Sequence, residues 1–231
     1  MNQTKYWALI LLFIVYISLI LSCSKQQDEW TILFDGSSTD AWRGYLRADF
    51  PTGGWAVTDK ALKTIVGGDQ CDIITKSIYN DFDLELEWKV SPGGNSGVFY
   101  RMIEDSSMGT WESAPEMQVL DDDLHHDGEN PKTSAGSLYA LISPQNKVLR
   151  PVGEFNKARI IVRGNYVEHW LNDVKILAYD LDSDSLKSLI ADSKFKNLSQ
   201  FAKAKQGHIA LQHHGEEVWY RNIKIKSFNL N

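Results

Sequence analysis

The sequence predicts an all-β fold, a sandwich or a barrel, with one short inserted helix. Residues 82–90 carry an apolar side chain at every second position, which is the pattern of a strand with one buried face and one solvated face. Turn-forming residues, such as those at 91–95, separate this run from similar short runs along the chain. One stretch, 181–205, instead carries several apolar residues at helical spacing.

The first 22 residues have the pattern of a secretory signal peptide. Lys5 precedes a run without charged residues that extends to position 22. An apolar pair and a serine then precede Cys23, an order that resembles a lipobox, in which the cysteine is lipidated and becomes the new N-terminus. A plain transmembrane anchor is the alternative, because the run is near the lower length limit for a spanning helix. The polar residues after Cys23 favour a signal peptide at 1–22 and a lipidated tether at 23–29.

Length, charge and cysteine content constrain the rest of the chain. Residues 30–231 suffice for one large β domain, and no second domain is required. The formal net charge of −6 argues against a nucleic-acid partner, because phosphate backbones are bound by basic surfaces. With Cys23 lipidated, Cys71 is left without a partner, so we expect no internal disulfide. The domain must then be held together by a sizeable hydrophobic core.

The remaining elements are predicted from the same patterns. A second strand begins at Gly97, and further strands are predicted at 116–120, 158–162, 167–171, 209–212 and 218–228. Tight hairpins are expected at 164–165 and 172–173, where residues that tolerate positive φ stand between strands. The stretch 181–205 is interpreted as one short helix and an irregular segment that cover an edge or an end of the sandwich.

Polar residues at strand positions are the first candidates for a functional site. Glu116 and Gln118 lie two residues apart in a strand, so their side chains lie on the same face. Arg101 is expected on the face that also carries the residues two and four positions before it. Gln212 and Arg221 interrupt runs of apolar or aromatic residues. Because burying such groups unpaired is costly, they either form internal ion pairs or line a cleft, and the sequence leaves both alternatives open.

The segment 121–128 collects carboxylates and imidazoles within eight residues. Such a loop could hold a divalent cation, although an ordinary solvated acidic turn is the commoner explanation. The segment lacks the regular ligand spacing of known metal loops. His169, His213 and His214 are likewise compatible with structural histidines or with ligands.

Several catalytic motifs are absent from the sequence. It contains no Gly-x-Ser-x-Gly elbow, no phosphate-binding Gly-Lys-Ser/Thr loop and no His-Glu-x-x-His pair. The Glu-x-Asp-x-x-Glu strand of many sandwich-fold glucanases is also missing. Because that strand supplies the two carboxylates of ordinary glycoside hydrolysis, its absence argues against conventional acid and nucleophile cleavage.

An ordered set of short motifs runs through most of the chain. The motifs lie at 34–36 together with Trp42, and at 95–101, 116–121, 136–139, 153–156, 169–172, 207–212 and 219–223. Each is weak alone, but in this order they resemble the 3-keto-disaccharide hydrolase family from about residue 30 to the end. The resemblance implies a concanavalin A-like jelly-roll β-sandwich. It also implies an exported lipoprotein that is anchored in the cell envelope, at the outer membrane or in the periplasm.

The resemblance further implies an enzyme that cleaves glycosides oxidised to a ketone at carbon 3, by hydrolysis or by elimination and hydration. The ketone acidifies the proton on carbon 2, so a base can remove it while the aglycone leaves from carbon 1. Such a site needs a base, a group that stabilises the enolate and an acid for the leaving oxygen. The expected ligand is a keto-sugar, and a divalent cation is a possible cofactor.

Candidate site residues follow from this chemistry. The catalytic candidates are Glu116, Arg101, Asp121 and His169. Glu116 or a histidine would act as the base, and Arg101 or a bound cation would stabilise the enolate. The substrate-binding candidates are Asn95, Gln118, Tyr139, Asn172, Gln212 and Arg221.

Two alternatives belong to other functional classes. A non-catalytic carbohydrate-binding envelope lipoprotein on the same fold would need aromatic platforms but no base. A buried polar network at Arg101 and Glu116, without an open cleft, would favour that alternative. An envelope scaffold protein would have no cleft at all.

Overall fold

Two antiparallel β-sheets packed face to face form the protein in a computed structural model, which describes residues 29–228. The eight-stranded sheet contains β1 (Thr31–Phe34), β3 (Trp55–Thr58), β4 (Ala61–Thr64), β6 (Phe82–Val90), β9 (Asn156–Arg163), β10 (Tyr166–Leu171), β11 (Val174–Asp180) and β13 (Val218–Ser227). The five-stranded sheet contains β2 (Trp42–Gly44), β5 (Ile73–Thr75), β7 (Asn95–Met102), β8 (Glu116–Leu120) and β12 (His208–Leu211). Their orders are β11-β10-β9-β6-β13-β4-β3, with β1 also paired to β13, and β2-β5-β12-β7-β8. The predicted all-β jelly-roll sandwich is confirmed.

Strand β6 shows why the alternating pattern predicts the sheet. Its apolar residues are buried at every second position, while Glu85, Glu87 and Lys89 between them are partly exposed. The strand pairs with β9 on one side and with β13 on the other, so it lies in the middle of the eight-stranded sheet. One face therefore enters the core and the other faces solvent, as the period of two requires.

Strand β7 lies between β12 and the edge strand β8 in the five-stranded sheet and is buried on both faces. Its inner face contacts the other sheet, because Ser96 Oγ lies 2.6 Å from the Tyr220 hydroxyl and Tyr100 Oη lies 2.8 Å from His169 Nε2. Its outer face carries Asn95, together with the residues two and four positions later. A four-residue helix, α1 (Thr110–Ser113), contacts β7 and helps to cover it.

The predicted hairpins connect β9 to β10 and β10 to β11. Gly164, Asn172 and Asp173 all have positive φ, which a two-residue turn between twisted strands requires. Strand β11 itself is not predicted from the sequence, because its burial does not alternate strictly along the chain. Tertiary pairing with β10 decides that this segment is a strand.

The predicted helix is α2 (Asp184–Ala191), which is followed by turns up to Lys205. Ser183 caps its first turn by accepting a hydrogen bond from the Leu186 amide. After the helix, the ring of Phe195 stacks on that of Phe201 at a centroid distance of 4.0 Å, and both rings are buried. The Ala202 amide then donates to Ser113 O at 2.9 Å, which fastens this inserted segment, 181–205, to the end of α1.

Large aromatic side chains fill the space between the sheets. Trp42, Trp55, Trp88, Tyr100 and Tyr220 are all fully buried. The indoles of Trp42 and Trp55 satisfy their N–H groups at backbone carbonyls, each at 2.8 Å. These side chains bury much apolar area, and among the described residues the Trp88 indole N–H is buried without a hydrogen-bond partner.

The N-terminal predictions concern residues outside the described range. The signal peptide at 1–22, the lipidation of Cys23 and most of the tether at 23–29 lie before residue 29 and stay predictions. Between residues 29 and 228, none of the helices has the length and apolar character needed to cross a bilayer. Cys71 is a buried free thiol.

Candidate active site on the five-stranded sheet

A cleft of about 260 Å³ opens on the outer face of the five-stranded sheet. Strands β7 and β8 supply its floor, and loops and the inserted segment supply its walls. The cleft is lined by Asn95, Trp111, Glu116, Gln118, Tyr139, Lys194, Gln212 and His214. The structure therefore brings together five of the predicted site residues, namely Asn95, Glu116, Gln118, Tyr139 and Gln212.

Glu116 and Gly97 form the centre of the cleft floor. Gly97 lies opposite Gln118 on the neighbouring strand, and the Glu116 carboxylate extends over the glycine. A Cβ atom added to Gly97 would lie 2.0 Å from Glu116 Oε1 and 2.7 Å from Cδ. The glycine is therefore the residue that leaves room for the carboxylate in this position.

Burial changes the acidity of Glu116. Its side chain is 8% exposed, and the structure places no described donor within hydrogen-bonding distance of the carboxylate. Loss of solvation raises the pKa of Glu116 to about 8, against the opposing attraction of Lys194. A carboxyl group with a pKa near neutrality can both accept and donate a proton, which is what a general acid–base catalyst needs.

Tyr139 and Lys194 form the wall of the cleft beside Glu116. The Tyr139 hydroxyl donates to Asp127 Oδ2 at 3.0 Å, and burial together with this bond raises the pKa of the phenol. The Lys194 ammonium lies 4.2 Å from the centre of the Tyr139 ring. Its pKa is lowered by loss of solvation, an effect that Glu116 and Asp127 partly oppose.

Asn95 connects the cleft to the histidines of the loop that follows β8. Its Nδ2 lies 3.3 Å from His125 Nε2, and its buried Oδ1 has no described partner. A substrate hydroxyl could supply the missing hydrogen bond. Since an unpaired buried carbonyl oxygen is costly, this atom is well suited to orient a sugar.

Arg101 does not reach this cleft, which corrects its expected direction. Its φ is +53°, and a register shift in the pairing of β7 with β12 accompanies this backbone change. The shift turns Met102, rather than Arg101, into the outer-face cluster around Phe99. The guanidinium instead donates to Gly164 O at 2.6 Å and pairs with the buried Asp81 at 3.3 Å. We therefore leave Arg101 out of the proposed site.

His169 and Asp121 also lie away from the cleft. His169 is fully buried between the sheets, where its ring nitrogens lie near the Tyr100 hydroxyl and Gly136 O. Burial lowers the pKa of His169 to about 4, so the imidazole is neutral at physiological pH. Asp121 accepts hydrogen bonds from the amides of Gly93, Asp123 and Leu124 and so organises its own loop.

Asn172 and Arg221 also form contacts with neighbouring segments outside the cleft. Asn172 lies in the β10–β11 turn, where its side chain bonds three groups of neighbouring segments. Arg221 lies on the outer face of the other sheet, with its guanidinium 3.7 Å from the centre of the Phe155 ring and paired to Glu87 at 2.7 Å. Neither residue lines the cleft that contains Glu116.

Four residues of the cleft were not predicted as site residues from the sequence. Trp111 is 42% exposed at the cleft and offers a flat surface of the kind on which sugar rings stack. Lys194 comes from the inserted segment, and nothing in its sequence pattern separates it from other surface lysines. Gly97 lies in the motif at 95–101, but a glycine has no side chain that could act on a substrate. His214 belongs to the pair His213-His214, and paired histidines have many structural roles.

The segment 121–128 was the candidate for a divalent cation. Its members His125, His126 and Asp127 offer atoms within 4.8 Å of one another. In this arrangement His125 Nδ1 accepts the Asp127 amide at 3.2 Å, and Asp127 Oδ2 accepts the Tyr139 hydroxyl at 3.0 Å. A cation stays a prediction.

A larger cleft, of about 450 Å³, lies between the start of the acidic loop and residues 149–154. Two of its carboxylates are already engaged, because Asp121 accepts the Gly93 amide at 2.7 Å and Asp122 pairs with Lys147 at 2.5 Å. We therefore base the functional argument on the smaller cleft, where Glu116 is buried without a hydrogen-bond donor among the described residues.

The two alternatives from the sequence make different predictions here. A buried network does form at Arg101, as the non-catalytic alternative requires. Glu116, however, does not belong to it and instead lines an open cleft. A scaffold protein without any cleft does not fit this arrangement.

Comparisons with known proteins agree on the family and the fold. Residues 29–226 match the family described as the 3-keto-alpha-glucoside-1,2-lyase-like domain. The chain is 35% identical to a 3-keto-disaccharide hydrolase of Bacteroides thetaiotaomicron, over 86% of this chain and 78% of that protein.

Solved structures extend the comparison. A crystal structure from Parabacteroides distasonis, described as a glycosyl hydrolase, is 29% identical with a TM-score of 0.80 and covers 87% of this chain and 94% of its own. A second from the same organism is 28% identical with a TM-score of 0.67, covering 87% and 100% of the two chains. A carbohydrate-binding module of Bacillus subtilis, 13% identical with a TM-score of 0.52 over 81% and 96% of the chains, shares the fold alone.

Proposed function

The chain belongs to the family of 3-keto-alpha-glucoside-1,2-lyase-like domains, and on this premise we propose that it cleaves glycosides of sugars that carry a ketone at carbon 3. The observation that carries the proposal is the Glu116 carboxyl, which is buried, has a raised pKa and faces a polar cleft. The relatives supply the substrate class. The cleft supplies a group that can take and return a proton.

In an elimination, residues of the cleft would remove a proton, stabilise the negative charge and protonate the leaving aglycone. Ionised Glu116 removes the proton from carbon 2, and the electrons of that bond move towards the ketone oxygen. Lys194 is the one lysine or arginine among the described lining residues, so it would hold the developing negative charge. The aglycone then leaves from carbon 1 and takes a proton from the newly protonated Glu116.

Hydration completes the reaction. Addition of water across carbons 1 and 2 of the unsaturated product gives the free 3-keto-sugar, so elimination followed by hydration has the same products as hydrolysis. The amides of Asn95, Gln118 and Gln212 lie on the cleft floor or rim, where they can orient sugar hydroxyls. Trp111 would stack on one face of the sugar.

Release of a chromogenic aglycone tests the proposal. The full-length protein is incubated with the p-nitrophenyl 3-keto-glucosides of both anomeric configurations, beside Glu116→Gln. We expect release from at least one anomer, with a rate constant at least about 100-fold lower in the variant. Glu129→Gln removes an exposed carboxylate of the same chain and should leave the rate unchanged. Equal rates in wild type and Glu116→Gln would contradict the proposal.

The same reaction in D₂O separates the two routes. Elimination and hydration place deuterium on carbon 2 of the sugar, whereas direct displacement at carbon 1 leaves the original hydrogen there. We expect deuterium on carbon 2 in NMR spectra taken within the first turnovers, above the exchange seen without enzyme. Retention of hydrogen would favour direct hydrolysis.

A non-catalytic carbohydrate-binding function is the second candidate, because the exposed Trp111 would serve it equally well. Binding of a sugar without release from any 3-keto-glucoside would favour that function. The same incubation with and without a chelator tests whether a divalent cation takes part.

The N-terminal pattern supports a further proposal about location. We propose that Cys23 is lipidated and that the domain is held at the cell envelope, in the outer membrane or the periplasm.

A further inference from the structure

Lys194 is held by aromatic rings and not by an ion pair, a setting that among the described lysines it shares with Lys89 on the other sheet. Lys147, Lys157 and Lys187 each form an ion pair with an aspartate. Among the described residues, no carboxylate pairs with Lys194. Its ammonium instead lies over three aromatic rings, at 4.2 Å from the centre of Tyr139, 5.3 Å from Phe195 and 5.7 Å from Trp111.

The backbone holds this lysine in place. The next residue, Phe195, is buried against Phe201 and so anchors the segment. The Phe195 amide donates to Ser193 Oγ at 3.1 Å, which fixes the turn that carries Lys194. The side chain of Lys194 therefore lines the cleft from an anchored position, although the segment around it is largely exposed.

Its surroundings favour the free amine more than water does. Lys194 as a residue is exposed, but the three rings partly shield its nitrogen, and this partial loss of solvation lowers the pKa of Lys194 despite the opposing pull of Glu116 and Asp127. A lysine amine that is partly desolvated and not ion-paired is the form that attacks carbonyl carbons. The substrate class proposed above carries such a carbon.

We propose that Lys194 forms a Schiff base with the keto carbon of the substrate, an inference that rests on the proposed function and replaces the electrostatic role given to Lys194 there. The amine adds to carbon 3, protonated Glu116 supplies one proton, and loss of one water gives an iminium and leaves Glu116 ionised. The later hydrolysis of the iminium releases this proton and returns it to Glu116. The iminium withdraws electrons from carbon 2 more strongly than a ketone does, so Glu116 removes the carbon 2 proton more easily and an enamine forms.

Collapse of the enamine completes the step. Its electrons form the double bond between carbons 1 and 2 and expel the aglycone, which takes the proton that Glu116 removed. One water then hydrolyses the iminium and returns both the ketone and the Lys194 amine. The water released at the start balances the water consumed at the end, and no oxidant or reductant is needed.

Reductive trapping tests the covalent step. The full-length protein is incubated with methyl 3-keto-glucoside and sodium cyanoborohydride, and the adduct is located by mass spectrometry of peptides. We expect one sugar on Lys194 in most molecules, and none with methyl glucoside, which has no ketone. Lys196, an exposed lysine two residues away, is the internal control for nonspecific labelling. Labelling of Lys194 no faster than Lys196 would overturn the inference.

Two variants separate covalent catalysis from a purely electrostatic role. Lys194→Arg keeps the positive charge but cannot form the iminium, and Lys194→Met removes both. We expect each to lower the rate of p-nitrophenol release by at least about 100-fold, with unchanged melting temperature, while Lys196→Arg retains the wild-type rate. If Lys194→Arg keeps more than a tenth of the rate, the lysine acts through its charge and the Schiff base is wrong.

Aglycone release and trapping at Lys194 together distinguish failure of the Schiff base from failure of the proposed function. Release of aglycone without trapping at Lys194 removes the Schiff base and leaves the proposed function. Trapping at Lys194 without release from any 3-keto-glucoside supports the Schiff base and removes the proposed function. Absence of both removes both.

Discussion

At the scale of single residues, Glu116 and Gly97 act as one unit. The carboxylate lies over the glycine on the neighbouring strand, in space that any other side chain would fill. Both residues lie on strands that the sequence predicts, and their same-face placement follows from the period of two. The contact between them depends on the register of β7 against β8, which local sequence patterns do not predict.

Removal of the buried charge should stabilise the protein at high pH. The pKa of Glu116 is raised from 4.5 to about 8, so the folded state binds this proton more tightly than the unfolded state, and stability falls as pH rises from about 4.5 to 8. Glu116→Gln mimics the protonated form and lacks this loss. Since one pKa unit is worth roughly 1.4 kcal/mol, we expect a melting temperature several degrees above wild type at pH 9.

Thermal unfolding at pH 4.5, 6, 7.5 and 9 would measure the effect. The difference between Glu116→Gln and wild type should shrink towards zero at the acidic end, and Glu129→Gln should show no such trend. A constant difference at all pH values would mean that burial does not raise the pKa of Glu116.

Substitution of the glycine should displace the carboxylate. In Gly97→Ala the new methyl group would meet Glu116 Oε1 at 2.0 Å, so the carboxylate must move. We expect a loss of stability of about 1–3 kcal/mol from overpacking and a kcat at least about 10-fold lower. Gly53→Ala is the matched control, because its methyl group would meet only Asp69 Cβ, at 3.7 Å. An unchanged kcat in Gly97→Ala would show that the position of the carboxylate is unimportant.

At the scale of elements, the inserted segment after α2 supplies a wall of the cleft. Its apolar spacing predicts a helix and an irregular stretch, and both are present. What the spacing does not predict is where the segment docks. The Phe195 and Phe201 stack and the bond from Ala202 to Ser113 place it beside α1, and this contact brings Lys194 to the site.

The two rings of the stack should have separable effects. Phe195→Ala and Phe201→Ala each remove a buried ring and should each cost about 3–5 kcal/mol of stability. Phe195 also lies 5.3 Å from the Lys194 ammonium, so its removal should lower kcat further. Thermal unfolding and p-nitrophenol release, measured well below both melting temperatures, would test this. Equal kcat in the two variants would mean that the ring near Lys194 does not position it.

At the scale of the whole molecule, the candidate site lies on the outer face of one sheet, and structural ion pairs lie on the outer face of the other. The outer face of the five-stranded sheet holds Glu116 and its neighbours, while the outer face of the eight-stranded sheet carries pairs such as Arg221 with Glu87. The core between them is apolar and aromatic. The lipid anchor proposed at Cys23 would attach this domain to the membrane through its N-terminal segment.

Lipidation of that anchor is testable in the intact protein. In a bacterial host that processes lipoproteins, we expect the wild type to incorporate labelled palmitate and to fractionate with membranes. Cys23→Ser should lose both properties, because the lipid is attached to this thiol, while Cys71→Ser should retain them. Labelling of Cys23→Ser would mean that another residue, or a spanning segment, holds the protein at the membrane.

The sequence by itself determined the all-β class, the inserted helix, the hairpins and half of the site. Alternation of apolar residues requires a buried face wherever it occurs, so these features follow from local pattern. Glu116, Gln118 and Gln212 are predicted because polar groups on a buried strand need a reason to be there. The ordered motifs add the family.

Only the tertiary structure decided which polar residues share the cleft. The positive φ at Arg101 turns its guanidinium into an ion pair with Asp81, and packing between the sheets encloses His169. Docking of a distant segment brings Lys194 next to Glu116 from nearly 80 positions away along the chain. Such contacts join parts of the chain whose separation no local pattern records, and for this reason the sequence could name the chemistry of the site but not all of its residues.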